Sequence, residues 1–218
     1  MIKIVVVDDH DLVRTGITRL LEDVKGIEVI AEGKSGEEAI ELAKRLEPDV
    51  LLMDVKMPGI GGLEATRKIA KACPDVKILN VTAWGEDPFP SRLLQAGASG
   101  FLTKGADVEE MARAIKTLHA GQKYLSPAIA QRMALNSFMP DSNGRKTPFD
   151  DLSDREMQIA LMIVSCQKVQ EISDKLCLSP KTVNTYRYRI FEKLSIDSDV
   201  ELTLLAIKHG MLDAEEAV

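Results

Sequence analysis

Five short apolar runs alternate with helical patterns over the first 120 residues, and this alternation constrains the fold more than any other feature. The runs cover residues 2–7, 27–31, 50–53, 76–81 and, more weakly, 100–103. Nearly continuous β-branched runs predict strands that are buried on both faces, as in a parallel sheet. The repeated alternation of strand and helix therefore predicts an α/β fold with a doubly wound sheet of five parallel strands.

The segments between these runs have apolar residues at helical spacing. The buried face of the first helix is expected to contain Leu12, Ile17, Leu20 and Leu21. Ser35 and Glu38 form a capping box that predicts the start of the second helix. Pro88 and Pro90 interrupt the segment that should open the fourth helix, whose helical pattern covers residues 91–96, so we expect that helix to begin late or to be frayed.

The pattern changes after residue 120. Residues 139–148 are polar and rich in helix-breaking residues, which predicts a linker over residues 121–150 that includes one helix over 128–138. Beyond the linker no strand pattern appears, and four helices are predicted, over residues 154–164, 169–176, 180–194 and 200–208. The chain is thus expected to consist of an α/β domain over residues 1–120, the linker, and a small all-α four-helix domain over residues 151–218.

Composition and charge indicate a globular protein with one basic stripe. The chain has 218 residues, of which 45% are hydrophobic and 28% charged, and its net charge is −6. The segment from Lys181 to Lys193 nevertheless contains four basic residues and one acidic residue. Three cysteines without metal-site spacing indicate core positions and a reducing compartment. The first apolar run is too short to cross a membrane and no cleavage site follows it, so we expect a cytoplasmic protein without membrane contact.

Polar residues follow four of the five runs. They are Asp8, Asp9, Asp54, Thr82 and Lys104. Because sites in open α/β sheets lie at the carboxyl ends of the strands, these side chains are expected to converge. Clustered carboxylates need a counter-ion, and Mg²⁺ prefers oxygen ligands, so Asp8 and Asp9 are candidate metal ligands. Asp54 is the candidate nucleophile for a phosphoryl group, whose oxygens Lys104 and Thr82 would contact.

Two simpler interpretations apply to single residues of this cluster. A strand-end aspartate often only caps the next helix, but five such polar residues at successive strand ends disfavour that interpretation here. His10 follows the acidic pair, and a lone histidine in such a place is more often a loop or core residue than a metal ligand.

Four segments resemble the receiver domain of bacterial two-component response regulators. They are VDDH at residues 7–10, MDVKMPG at 53–59, VTA at 81–83 and LTKG at 102–105. The resemblance implies Mg²⁺-dependent transfer of a phosphoryl group from a sensor histidine kinase to Asp54. Gly105 departs from the family pattern, because proline usually follows the lysine.

The same resemblance implies roles for two further residues. The backbone carbonyl of Lys56 would complete the metal site with Asp8, Asp9 and Asp54. Phe101 matches the aromatic residue that rotates inward when Thr82 engages the phosphate. Trp84, two residues beyond that threonine, receives no role from either argument.

A helix-turn-helix pattern occupies residues 169–194. Val183, Ile190 and Leu194 form the apolar side of its second helix. The other residues of that helix offer groups that read base edges or neutralise phosphates, and the candidate DNA contacts are Lys181, Thr182, Asn184, Thr185, Arg187, Tyr188 and Arg189. Asn184, Thr185 and Tyr188 are expected in the groove, and the basic residues at phosphates. An amphipathic helix with a basic solvated face is the alternative.

The sequence around this pattern is similar to that of the LuxR-type helix-turn-helix of NarL/FixJ-class response regulators. The segments are LSDRE at residues 152–156, EIS at 171–173 and LSPKTV at 178–183. Ser165-Cys166 departs from the pattern, because that module usually has glycine there. Residues 53–68, 86–90 and 166–201 resemble GacA/UvrY-type global regulators of γ-proteobacteria. That resemblance implies a GacS/BarA-type sensor kinase and promoters of small regulatory RNAs.

The sequence therefore predicts a phosphorylation-controlled, DNA-binding transcriptional regulator that is not an enzyme. It should bind double-stranded DNA at an inverted repeat as a homodimer when phosphorylated. The predicted helix over residues 200–208 would form the dimer contact through Leu202, Leu205 and Ala206.

Three alternatives belong to other classes. A phosphatase with an aspartate nucleophile usually has a second acid two residues later, where this chain has Lys56. A phosphorylation-independent DNA binder with a degenerate receiver is disfavoured by the intact polar set. A nucleotide switch is disfavoured because no glycine-rich phosphate loop follows the first run.

Overall fold

The computed structural model describes residues 1–55, 57, 59–82, 89–138 and 148–209. They fall into two compact units, which divide near residue 132 and are described separately below. None of the helices within the described ranges is long and apolar enough to cross a membrane.

The first unit contains a parallel sheet with strand order β2-β1-β3-β4-β5-β6. The strands are β1 (Ile2–Val7), β2 (Ile27–Gly33), β3 (Val50–Asp54), β4 (Lys77–Thr82), β5 (Gly100–Thr103) and β6 (Tyr124–Leu125). The prediction of five strands is confirmed for β1 to β5 but misses the sixth. β6 pairs with β5 inside the segment that we expected to be linker. A strand of two residues is too short to produce a recognisable hydrophobic period, which explains the omission.

Helices cover both faces of this sheet. The helices of the first unit are α1 (Asp11–Glu22), α2 (Gly36–Leu46), α3 (Gly61–Ala72), α4 (Phe89–Ala96) and α5 (Val108–His119), and a further helix, α6 (Pro127–Phe138), crosses the division between the units. Alternate residues of β1 face opposite layers: Ile4 packs in a cluster with residues of α1 and α5, whereas Val5 packs with residues of α2 and α3. The doubly wound architecture is therefore confirmed, and the site lies at the ends of strands β1 and β3, which are buried at this edge.

Three local expectations were wrong. Leu12 and Leu20 of α1 are exposed, Leu12 at 90%, because the buried face of this helix runs through Arg14, Thr18 and Leu21. The fourth helix does not begin late but at Phe89, with Pro90 in its first turn. Proline is tolerated there, since the first amide groups of a helix have no intrahelical acceptor.

The capping box of α2 differs from its expected form in one bond. The Ser35 hydroxyl accepts a hydrogen bond from the Glu38 amide at 3.2 Å, as predicted. The Glu38 carboxylate, however, accepts from the amide of Lys34 at 2.9 Å rather than from that of Ser35.

The second unit contains four helices after a 3₁₀ turn at Pro148–Asp151. They are α7 (Asp154–Val164), α8 (Val169–Leu176), α9 (Pro180–Leu194) and α10 (Asp199–Lys208). α9 packs against α7 and α8, and α10 packs against α7. Ser153, Ser179 and Ser198 cap three of these helices by accepting hydrogen bonds from backbone amides. The four predicted helices are confirmed, with a start one residue earlier for the last.

The cysteines of this unit are not core residues. Cys166 and Cys177 are exposed, and both have positive φ, 57° and 52°, at the ends of α7 and α8. The left-handed conformation at Cys166 is the one for which glycine is usually selected, so the departure from the family pattern costs this chain local backbone strain. Cys73 in the first unit is half-buried.

Candidate functional site

Two buried carboxylates lie side by side at the carboxyl edge of the sheet. Asp8 directly follows β1 and Asp54 ends β3, and the parallel register that pairs Val7 with Met53 makes them neighbours. Both side chains are only 3% exposed. Two buried carboxylates repel one another, so this edge requires positive charge.

Lys104 supplies one positive charge to both of them. Its Nζ lies 2.7 Å from Asp8 Oδ2 and 2.8 Å from Asp54 Oδ2. Partial burial alone would lower the pKa of Lys104, but hydrogen bonds to Asp54 and Asp8 and their charges outweigh burial, so the pKa is raised above its ordinary value. The residue is therefore cationic at neutral pH, and one further positive charge would balance the pair.

The neighbouring residues fit a divalent cation. Ligand atoms of Asp8, Asp9, His10 and Asp54 all lie within 4.8 Å of one another. Asp9 Oδ1 is buried, and His10 Nδ1 lies 3.0 Å from it. A buried carboxylate oxygen next to two more carboxylates is the arrangement that a hard cation such as Mg²⁺ stabilises.

The remaining predicted site residues differ in how far the structure describes them. Thr82 ends β4 and pairs with Thr103, which places its backbone beside Lys104. Phe101 on β5 is fully buried, so its ring is already packed in the interior of the first unit. Three residues lie outside the described part of the chain: Lys56, whose backbone carbonyl is the predicted metal ligand, Trp84 and Pro88.

Arg14 is a site residue that the sequence analysis missed. Its buried guanidinium donates to the backbone carbonyl of Asp8 at 2.8 Å and to Glu32 at 3.0 Å, and it also contacts Asp11. These bonds tie the loop between β1 and α1 to the neighbouring strand β2. An arginine at a position where helical periodicity requires an apolar residue was the available signal.

Two contacts fix the backbone that follows Asp54. A Cβ atom on Gly62 would lie 2.2 Å from the Asp54 carbonyl oxygen and 2.7 Å from Val55 Cα, so only glycine allows α3 to approach this closely. The Glu37 carboxylate accepts a hydrogen bond from the Ile60 amide at 3.0 Å. Both contacts fix the backbone that leads away from the candidate nucleophile.

The second unit presents one polar face of α9. Lys181, Thr185, Tyr188 and Arg189 are exposed, Tyr188 at 71%. Their spacing of four, three and one residues places them on one side of the helix. Val183, Ile190 and Leu194 are buried on the other side, as predicted. Asn184 is half-buried beside the exposed face.

Three predicted DNA contacts have partners within their own unit. The Thr185 hydroxyl donates to the backbone carbonyl of Lys181 at 2.9 Å. Arg187 donates from Nε and Nη2 to the two carboxylate oxygens of Asp199, at 2.7 and 2.6 Å, and lies 5.4 Å from the centre of the Phe191 ring. The Thr182 hydroxyl lies 2.8 Å from that of Ser179. Arg187 therefore joins α9 to α10, a role that no local sequence pattern indicates.

Two of the three residues expected at the dimer contact are not available for it. Leu202 and Ala206 are buried in the unit's own core, whereas Leu205 is half-buried. The exposed apolar residues of this helix are Val200 and Leu204, one turn apart.

Comparison with known proteins identifies both units. The receiver-domain model of response regulators matches residues 4–116, and the model for bacterial regulatory proteins of the luxR family matches residues 150–206.

Similar proteins match over almost the whole chain. "Response regulator GacA" of Pseudomonas syringae pv. syringae is 68% identical over 214 residues, which cover 98% of this chain and 99% of that protein. "Response regulator UvrY" of Escherichia coli is 54% identical over 215 residues, which cover 99% and 98%. A solved LuxR-family two-component response regulator from Aurantimonas is 40% identical, with a TM-score of 0.60, and the match covers 62% of this chain and 97% of that one.

Proposed function

This chain belongs to the two-component response regulators that combine a receiver domain with a LuxR-type DNA-binding domain, and we propose that phosphorylation of Asp54 switches its binding to DNA. The observation that supports this most directly is the ammonium of Lys104, placed between the carboxylates of Asp8 and Asp54. That arrangement leaves a nucleophilic carboxylate beside a fixed cation, where a phosphoryl oxygen would be neutralised.

In the proposed step a carboxylate oxygen of Asp54 attacks the phosphorus of a phosphohistidine on the donor kinase. The bond between phosphorus and the imidazole nitrogen breaks, and the leaving imidazole takes up a proton. Lys104 and the Thr82 hydroxyl contact two phosphoryl oxygens. Asp8, Asp9, Asp54 and the Lys56 carbonyl would hold Mg²⁺, which supplies charge neutralisation for the attack.

In this role the protein accepts one phosphoryl group per chain and is not an enzyme that turns over an external substrate. The protein is proposed to act in the cytoplasm. Its donor is proposed to be a GacS/BarA-type sensor histidine kinase, because the relatives named GacA and UvrY match over almost the whole chain. The receiver is assigned to residues 1–120 and the DNA-binding domain to residues 151–218. The proposed linker, residues 121–150, contains β6 and α6, so much of it is structured. Phe101 is proposed to respond to Thr82, although its ring is already buried.

For DNA we propose that α9 enters the major groove. The exposed side chains of Thr185 and Tyr188, with Asn184 beside them, are suited to base edges, and those of Lys181 and Arg189 to phosphates. A homodimer formed on phosphorylation would bind double-stranded DNA at an inverted repeat.

The dimer contact is proposed at the exposed Val200 and Leu204 of α10. Val200→Asp should then prevent pairing of the phosphorylated protein in sedimentation experiments. Glu201→Gln, a change on the exposed side of the same helix, is the matched control and should leave pairing intact.

The test is to incubate the protein with Mg²⁺ and a small phosphodonor and to locate the label by mass spectrometry. We expect one phosphoryl group per chain, on Asp54, and none in Asp54→Asn, which keeps the shape but removes the nucleophile. Asp49→Asn is the matched control, because Asp49 precedes the same strand at its opposite end.

Two results would overturn the proposal. Labelling of Asp54→Asn at the wild-type rate would show that another residue is the acceptor. DNA affinity that is unchanged in Asp54→Ala, with and without the phosphodonor, would favour a phosphorylation-independent DNA binder. Sustained release of phosphate from an ester substrate would instead favour a phosphatase.

A further inference from the structure

We propose that His10 is an additional ligand of the divalent cation, through Nδ1, and that it gives this site a preference for transition-metal ions over Mg²⁺. This inference rests on the metal site of the proposed function and adds a fifth residue to it. It concerns which ion the site selects, not whether the site exists.

The distances around the His10 ring are those of neighbouring ligands on one ion. His10 Nδ1 lies 3.0 Å from Asp9 Oδ1 and 3.2 Å from Asp8 Oδ1. In an octahedral shell with ligands about 2.1 Å from the ion, adjacent ligand atoms are about 3 Å apart. The two distances from His10 Nδ1 are therefore those expected between adjacent ligands of one ion.

The surrounding contacts leave this side of the carboxylates available to an ion. Lys104 contacts Oδ2 of Asp8, whereas His10 Nδ1 faces Oδ1 of the same carboxylate. Asp9 Oδ1, the other oxygen near the ring, is buried and lies 3.0 Å from His10 Nδ1. A cation that binds both atoms would replace this contact and the hydrogen bond between the ring and Asp8 Oδ1.

The backbone presents the ring to the site at low cost. The His10 amide donates to Asp8 Oδ1 at 2.8 Å, which fixes the loop just before α1. The His10 side chain is 63% exposed, so binding an ion would not disrupt apolar packing.

The chemistry of the ligands predicts the selectivity. Mg²⁺ prefers oxygen ligands and retains water, so an imidazole adds little to its binding. Later divalent ions accept imidazole nitrogen readily, and their affinity rises from Mn²⁺ along the first transition row. His10 should thus strengthen binding of Mn²⁺ and its heavier neighbours and leave Mg²⁺ nearly unaffected.

The experiment uses the full-length protein and Mn²⁺ as the probe. Electron paramagnetic resonance counts free Mn²⁺ in a titration at about pH 8, where imidazole is available as a neutral ligand, and Mg²⁺ affinity follows from competition. Pulsed measurements report whether a ¹⁴N nucleus is coupled to the bound ion. The variants are His10→Ala and His10→Gln, and His119→Ala is the matched control on α5.

We expect His10→Ala to weaken Mn²⁺ binding about tenfold, the lower end of what ligand-shell changes cause, and Mg²⁺ binding less than about threefold. The imidazole ¹⁴N coupling should be present in the wild type and in His119→Ala. It should disappear in both His10 variants, and circular dichroism shows whether each variant is folded.

Absence of ¹⁴N coupling in the wild type would overturn the inference, and so would equal weakening of both ions in His10→Ala. Either result, together with intact Mg²⁺ binding, leaves the proposed phosphoryl site standing. Failure of the wild type to bind either ion would overturn the proposed metal site and this inference together.

Discussion

Replacement of Arg187 by alanine should destabilise the second unit and change DNA binding only indirectly. The guanidinium forms two hydrogen bonds with Asp199, at 2.7 and 2.6 Å, and lies 5.4 Å from the Phe191 ring centre. A partly exposed ion pair with good geometry contributes about 0.5–1 kcal/mol, and a cation–π contact about 0.5–1 kcal/mol. The expected loss in the free energy of unfolding is therefore about 1–2 kcal/mol.

The assay is a double-mutant cycle on the full-length protein with Arg187→Ala, Asp199→Ala and the combined variant. Calorimetry gives the unfolding transition, and a loss of 1 kcal/mol lowers Tm by about 4–8 °C for a unit of this size. Hydrogen exchange of peptides from α9 and α10 assigns the effect to the second unit. The coupling free energy between the two residues should be about 0.5–1 kcal/mol, because the cation–π contact does not involve Asp199.

Arg189→Ala is the matched control, since Arg189 is exposed on the same helix. It should leave stability within about 0.5 kcal/mol and reduce the slope of log affinity against log salt by about one. If Arg187→Ala instead reduced that slope equally and left stability unchanged, Arg187 would be a phosphate contact, as the sequence predicted. The structural reasoning would then be refuted.

Three further changes test separate features. Gly62→Ala should abolish labelling of Asp54 and lower Tm, measured by mass spectrometry and calorimetry, because the added Cβ would lie 2.2 Å from the Asp54 carbonyl oxygen. Cys166→Gly should raise the free energy of unfolding by about 0.5–1 kcal/mol in denaturant titrations, because it relieves a φ of 57°; a loss would refute this. Burial raises the pKa of Glu156, but hydrogen bonds with Lys193 and Ser153 lower it by more, so the net pKa is below its ordinary value. The ionised carboxylate therefore stabilises the folded unit above the ordinary pKa, and this contribution disappears as pH falls through the lower folded pKa. Glu156→Gln should flatten the dependence of the free energy of unfolding on pH below about pH 4.3.

The sequence predicted those parts of the fold that produce a long, unambiguous pattern. β1 has the expected bounds because its nearly continuous apolar run is typical of a strand buried on both faces, and the weaker run at residues 100–103 also has the bounds of β5. Leu12 and Leu20 were misassigned because α1 has apolar residues on two sides, and periodicity alone does not say which side meets the sheet. The buried side includes Arg14, whose guanidinium donates to the Glu32 carboxylate and to the Asp8 backbone carbonyl, both outside α1.

The same distinction applies to the two sites. Asp8, Asp54 and Lys104 were predicted together because parallel strands bring their carboxyl ends to one edge, a rule that needs no tertiary detail. The pairing of Arg187 with Asp199 depends on how two helices cross, which their separate sequences do not encode. A basic residue on a recognition helix therefore has two possible partners, and only the packed structure distinguishes them.

Arg14 has a consequence for the rate at which an ion enters the site. Its hydrogen bonds to the Asp8 carbonyl and to Glu32 hold the loop in place before any ion arrives. Little conformational entropy then remains to be lost on capture, so loop ordering should not limit the association rate. The slow event becomes the release of water from the incoming ion, and Mg²⁺, which dehydrates reluctantly, should enter more slowly than Mn²⁺.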